Sequence, residues 1–84
     1  MTRQESAQEA LQRKLVAKLA YYQRLYGLSA VQLADICEIT RATYYNRLHQ
    51  PGSFRLCELS RLARRFGVSL EALLSDRKPY AQGA

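Results

Sequence analysis

Between Thr40 and Gln50 the chain reads TRATYYNRLHQ. Arg41, Asn46, Arg47, His49 and Gln50 carry hydrogen-bond donors, Tyr45 adds a ring with a hydroxyl, and no acid stands among them. A guanidinium can donate to both O6 and N7 of guanine, a carboxamide can pair with N6 and N7 of adenine, and a small methyl can meet that of thymine. Helical geometry puts positions 41, 42, 45 and 46 on one side. Arg41, Ala42, Tyr45 and Asn46 are therefore candidate readers of base edges in double-stranded DNA. Three alternatives stay open: Arg41 touching only phosphate, Tyr45 lying flat over its own helices, and Ala42 serving as a helix former. Thr40, Thr43, Arg47, His49 and Gln50 flank the readers and suit phosphate oxygens. Other chemistries lack their groups. The chain has one His, no CxxC or HxxxH, and no evident catalytic partner for Asp35 or Glu38. An enzyme is not expected, nor a metal, cofactor or small-molecule site.

Such a face must be held by something behind it, and the preceding residues supply it. Ser29 is an N-cap with Gln32 completing a capping box, and Leu28 and Leu33 can staple across it. Leu33, Ala34, Ile36 and Cys37 follow at helical spacing. Glu38-Ile39-Thr40 interrupts the helix, and Thr40 caps a second one with Ile39 and Tyr44 as its staple. Tyr44 and Leu48 point inward at i, i+4, which assigns Tyr44 to the core. Two short helices joined by a tight turn, the second polar outside, follow the logic of a helix-turn-helix. Ser29 and Gln32, at the first helix's N-terminus, can hold a phosphate where unpaired N–H groups favour anions.

The rest of the chain has to complete a core around this pair. Arg3 to Tyr26 lacks Gly and Pro and is rich in helix formers, with Thr2 and Glu5 as its box. Leu11, Leu15, Val16, Leu19, Tyr22 and Tyr26 form its apolar stripe, and Gly27 ends it. The first ten residues are expected to overhang the core, with packing on a second subunit as the alternative. Gln50-Pro51-Gly52-Ser53 stops the helix before it. Phe54, Leu56, Leu59, Leu62, Ala63 and Phe66 mark a fourth helix ending at Gly67, and Ser69 caps a fifth that turns Leu70, Leu73 and Leu74 inward. The tail DRKPYAQGA is expected to be disordered. The expectation is an all-α, five-helix single domain over residues 1–75 with a tail over 76–84.

Composition sets the bounds. In 84 residues, 13 Lys+Arg outnumber 7 Asp+Glu for a formal net charge of +6, which favours a polyanionic partner, with mere solubility as the bland alternative. No apolar run is long enough for a membrane span or a signal segment, so a soluble cytoplasmic protein is expected. A membrane-surface role for the basic first helix is disfavoured because its stripe is needed for the core. Cys37 and Cys57 fall at apolar helical positions and read as reduced, buried, small hydrophobes. Arg61, Arg64 and Arg65 read as a solvated face, with an extended phosphate contact as the alternative.

The stretches LSAVQLADICEITRATYYNRL and LCELSRLARRFGVSLEALL together resemble the lambda-repressor-like DNA-binding domains, the Cro/XRE-type helix-turn-helix family. The resemblance runs from about Leu15 to Ser75, and TRATYYNRLHQPGSF is similar to a branch of small phage and prophage regulators. It implies a sequence-specific transcriptional regulator of the Cro or repressor kind, in the cytoplasm of a bacterium or a phage-infected host cell. It also implies a homodimer, at least on DNA, and a two-fold repeated operator. No sensor domain is evident, so regulation would come from occupancy alone. An antitoxin-type regulator, or a protein-interaction module on the same scaffold, is the alternative. Three residues depart from the family pattern. Glu38 stands where many members have Gly; a left-handed backbone there costs about 1 kcal/mol, so a remodelled turn is expected. Leu48 stands where many carry an acid paired with a first-helix Arg, so that internal ion pair is expected to be absent. Arg55 stands where Ser or Thr often caps the fourth helix, so Ser53 is expected to take that task.

Overall fold

The computed structural model describes residues 6–75. They form α1 (Ala7–Leu25), α2 (Ala30–Cys37), α3 (Arg41–His49), a 3-10 turn (Pro51–Ser53), α4 (Leu56–Phe66) and α5 (Leu70–Leu74), and among the described residues there is no strand. The all-helical, five-helix expectation holds for these residues. No helix among them is long and apolar enough to cross a membrane.

The described part of α1 begins later than the sequence suggests. Ser6 and Glu9 form the capping box, with Ser6 N–H donating to Glu9 Oε1 at 3.2 Å and Glu9 N–H donating to Ser6 Oγ at 3.1 Å. The Thr2–Glu5 box and the tail over 76–84 lie outside the described residues, as does half of the expected overhang. Of the stripe, Leu15, Leu19 and Tyr22 are buried, whereas Leu11 and Tyr26 are exposed at 42% and 44%. The reason lies in what α1 packs on. It lies against the Pro51–Ser53 turn and α5, and a narrow strip of its surface is covered. Lys18 occupies a place on that strip and is buried, which the stripe did not foretell. Its ammonium donates to Ala72 O at 2.9 Å, to Ser75 O and to Ser75 Oγ, so a cation meets the negative end of α5.

Three corners of the chain share one design. α1, α2 and α4 each end on a left-handed residue: Gly27 (φ 63°), Glu38 (φ 63°) and Gly67 (φ 72°). At each, that residue's N–H bonds three residues back, to Arg24, Asp35 and Arg64, and the next N–H bonds five back, to Gln23, Ala34 and Ala63. These are Schellman closures. The residue that follows is aliphatic and packs on the core: Leu28, Ile39 and Val68. Next comes the cap of the new helix, as expected: Ser29, Thr40 and Ser69 accept from Gln32, Thr43 and Ala72 N–H respectively. The turn at Glu38 is therefore not remodelled, contrary to expectation. It keeps the left-handed geometry, and its carboxylate lies 3.2 Å from Arg61 Nε. Arg61 Nη1 also donates to Cys37 O at 3.4 Å, at the end of α2.

The core gathers Leu15, Leu19, Leu33, Cys37, Tyr44, Leu62, Phe66 and Leu73, with Leu48 packed against it. Phe66 stacks on Tyr22 at 4.7 Å between ring centres, and Tyr26 hydroxyl donates to Phe66 O at 3.1 Å. Cys37 is buried as expected, and burial pushes its thiol up to about 12. Cys57 is exposed, which corrects the expectation for that residue. On α4 the buried positions are 58, 59, 62, 63 and 66, so 57 faces solvent and Leu56 in the first turn is 67% exposed.

Candidate nucleic-acid interface

Helix α3 is short, and its inner side is narrow. Tyr44 is buried and its ring meets that of Phe54 edge-on at 6.1 Å, while Leu48, one turn on, is half-buried. With 3.6 residues per turn, anchoring at 44 and 48 turns 42, 45, 46 and 49 outward, while Arg41 is open because it is the first residue of the helix. Arg41, Ala42, Tyr45, Asn46, His49 and Gln50 are all exposed, and Tyr45 keeps 46% of its surface. The four proposed base readers therefore share one open side across the first two turns of α3. Arg41 and Asn46 side chains make no hydrogen bond among the described residues, so their donors are free to meet a ligand.

The flanking candidates are organised by the helix ends. Thr40 Oγ1 accepts Thr43 N–H at 3.1 Å and donates its own proton to Thr43 Oγ1 at 2.9 Å. That leaves the Thr43 hydroxyl proton free to turn outward. At α2, Gln32 N–H donates to Ser29 Oγ at 3.1 Å and Ser29 N–H donates to Gln32 Oε1 at 2.7 Å. The box closes two N–H groups on itself, and the remaining donors there are the first backbone N–H groups of α2 and the Gln32 amide. Ser29, Gln32 and Thr40 are exposed and stand at the N-termini of the paired helices.

Arg47 stands apart from the other flanking candidates. The sequence places it off the core, on a flank that turns back to its own domain or to the DNA backbone. Its Nε donates to Glu58 Oε1 at 3.1 Å and its Nη2 to Glu58 Oε2 at 3.2 Å, a two-point ion pair with α4. The Arg47 side chain is 18% exposed and that of Glu58 3%. Arg47 lies three residues beyond Tyr44, on the side of α3 that turns back to its own domain, and a buried acid waits there. One edge of the fork is thus committed to the fold.

Glu58 escaped the sequence reading altogether, although a signal existed: an acid on the apolar face of α4, beside Leu59 and Leu62. It also accepts Arg55 N–H at 3.0 Å, so the acid at the third position of α4 closes that helix's start. Ser53 does not cap α4 as expected; its hydroxyl donates to Gln50 O at 2.6 Å and closes the end of α3 instead. Burial alone would push the Glu58 carboxyl up. The Arg47 hydrogen bonds, the Arg55 N–H and the nearby positive charges outweigh that and hold it below the usual carboxylate value. Every such partner favours the ionised form.

The arginines of α4 divide. Arg61 serves the α2–α3 corner, Arg65 lies over the Tyr26 ring at 5.4 Å, and Arg64 is exposed. Two of the three are thus occupied within the domain. Among the described residues no group of His, Cys, Asp and Glu is placed to hold a metal ion. Comparison of the chain with protein-family models, with curated proteins and with solved structures finds no match.

Proposed function

We propose that the chain is a sequence-specific double-stranded DNA-binding protein with a lambda-repressor-like, Cro/XRE-type helix-turn-helix, acting as a transcriptional regulator. The observation that carries this reading is the outer side of α3. Arg41, Ala42, Tyr45 and Asn46 stand exposed together on a helix anchored from behind by Tyr44, in a chain of net charge +6. Hydrogen-bonding groups of this kind on the first turns of a helix are what a major groove accepts. Phosphate oxygens would be met by Ser29, Gln32, Thr40, Thr43, His49 and Gln50. Arg47 would take part only through the edge that Glu58 leaves open. A homodimer on a two-fold repeated site is part of the proposal, as is the cytoplasm as its location.

Selection of bound sites from random duplexes tests it. The expected outcome is a recurrent sequence repeated about a two-fold axis. Arg41→Ala should then relax preference at one base pair and cost about 1–3 kcal/mol on the selected site. Recovery of no common sequence would overturn the reading. Uniform loss on all duplexes with Arg41→Ala would make Arg41 a phosphate contact.

A further inference from the structure

The reading side of α3 is only as accurate as the hold on its rotation. One ring, that of Tyr44, is buried from this helix, which packs mainly on α2 and the Pro51–Ser53 turn. Tyr44 and the half-buried Leu48, one turn apart on the same side, fix where α3 lies but resist rolling weakly. Arg47, three residues beyond Tyr44 and on the other side of it from Leu48, supplies a further anchor off that line, gripped at two points by Glu58 at 3.1 and 3.2 Å. Glu58 is itself enclosed and held: it is 2% exposed and accepts from Arg55 N–H at the start of α4. The backbone of α4, the carboxylate, the guanidinium and α3 therefore form one continuous strut.

We propose that Glu58 is a positioning residue for base reading: through Arg47 it fixes the roll of α3 and so the direction in which Arg41 and Asn46 project. This deepens the DNA-binding reading and rests on it. A roll of about 20° moves a side-chain tip at the roughly 5–6 Å outer radius of a helix by about 2 Å. Bidentate base contacts need placement within about 0.5 Å, whereas attraction to phosphate falls off slowly with distance. Loosening the strut should therefore cost discrimination between sequences while sparing general affinity.

Two variants separate this from simple stabilisation. Glu58→Gln removes the charge from the grip; Arg47→Lys keeps the charge pair but replaces a planar fork with a point charge. Each is assayed on the selected duplex and on a scrambled duplex of equal length, at a temperature where circular dichroism shows it folded. Partial unfolding lowers affinity for both duplexes alike and leaves their ratio untouched. The expected result is a ratio reduced more than three-fold in Arg47→Lys, and in Glu58→Gln if that variant folds. A ratio kept within three-fold in folded Arg47→Lys, on a site the wild type clearly prefers, overturns the positioning role alone. A wild type with no preferred duplex overturns the DNA-binding reading and this inference with it.

Discussion

Replacing Glu58 by Gln tests the electrostatic description of the α3–α4 junction without reference to any ligand. The carboxylate accepts three hydrogen bonds, two from Arg47 and one from Arg55 N–H, and is 2% exposed. A carboxamide fills the same volume and can keep the Arg55 N–H bond through its oxygen. It loses the charge-assisted partners, and its NH₂ group meets the Arg47 donors head-on. Breaking a buried ion pair from one side costs about 3–5 kcal/mol. The Arg47 side chain is 18% exposed and can swing into water, which reduces the loss to about 2–3 kcal/mol. For a domain of this size that is roughly a 10–20 °C fall in Tm at pH 7. The pH dependence has a definite sign. The folded carboxyl sits below its ordinary value of 4.5, so its stabilisation is complete above that value and is lost as pH falls through the folded value. The Tm gap between wild type and Glu58→Gln should be widest near neutrality and close as pH falls below about 4.5. Thermal melts followed by circular dichroism at 222 nm from pH 7 to pH 3 measure both effects. A gap under about 4 °C at pH 7, or one that stays constant to pH 3, would refute the account.

Three further outcomes are expected. In the native protein a thiol reagent should label Cys57 at once and Cys37 only on unfolding; rapid double labelling would contradict the burial of Cys37. Glu38→Gly should raise stability by about 0.5–1 kcal/mol, because relief of the left-handed strain exceeds loss of the exposed pair with Arg61, whereas Glu38→Val should lower it by more than about 1 kcal/mol. Chemical denaturation of both variants checks this, and equal stabilities would speak against strain at Glu38. Duplex affinity should fall with salt at a log–log slope of about 0.9 per phosphate neutralised, and an affinity flat between low and moderate salt would count against DNA binding.

Local signals were legible in the sequence. The caps at Ser29, Thr40 and Ser69, the glycines that end α1 and α4, and the inward Tyr44 all follow from rules that act within four or five residues. What was not legible depends on a partner elsewhere in the chain. Arg47 and Glu58 are 11 residues apart, and Lys18 meets Ala72 across 54. Periodicity marks both Lys18 and Glu58 as charges on apolar faces, but it cannot say which group receives them. Leu11 went astray for the related reason that a stripe shows which side of a helix is apolar, not how far along it a neighbour extends, and Cys57 because it lies off the buried face of α4. The outward placement of Ala42, Tyr45 and Asn46 was readable because it is the complement of Tyr44 and Leu48, and that of Arg41 because it is the first residue after the Thr40 cap.

The corner built by Glu38, Ile39 and Thr40 has a mechanical consequence. Ile39 N–H and Glu38 N–H bind back into α2, and the Thr40 side chain binds forward into α3, within three consecutive residues. Few soft torsions remain at the joint, so the start of α3 should hold its angle to α2, with roll of α3 about its own axis left to the Arg47–Glu58 grip, and the Glu38 and Ile39 amide hydrogens should exchange as slowly as those of the helices. On the proposed reading, a stiff probe cannot adjust to an imperfect groove; the duplex must bend or twist to fit it. Sequences with compliant pyrimidine–purine steps would then be favoured at positions no side chain touches.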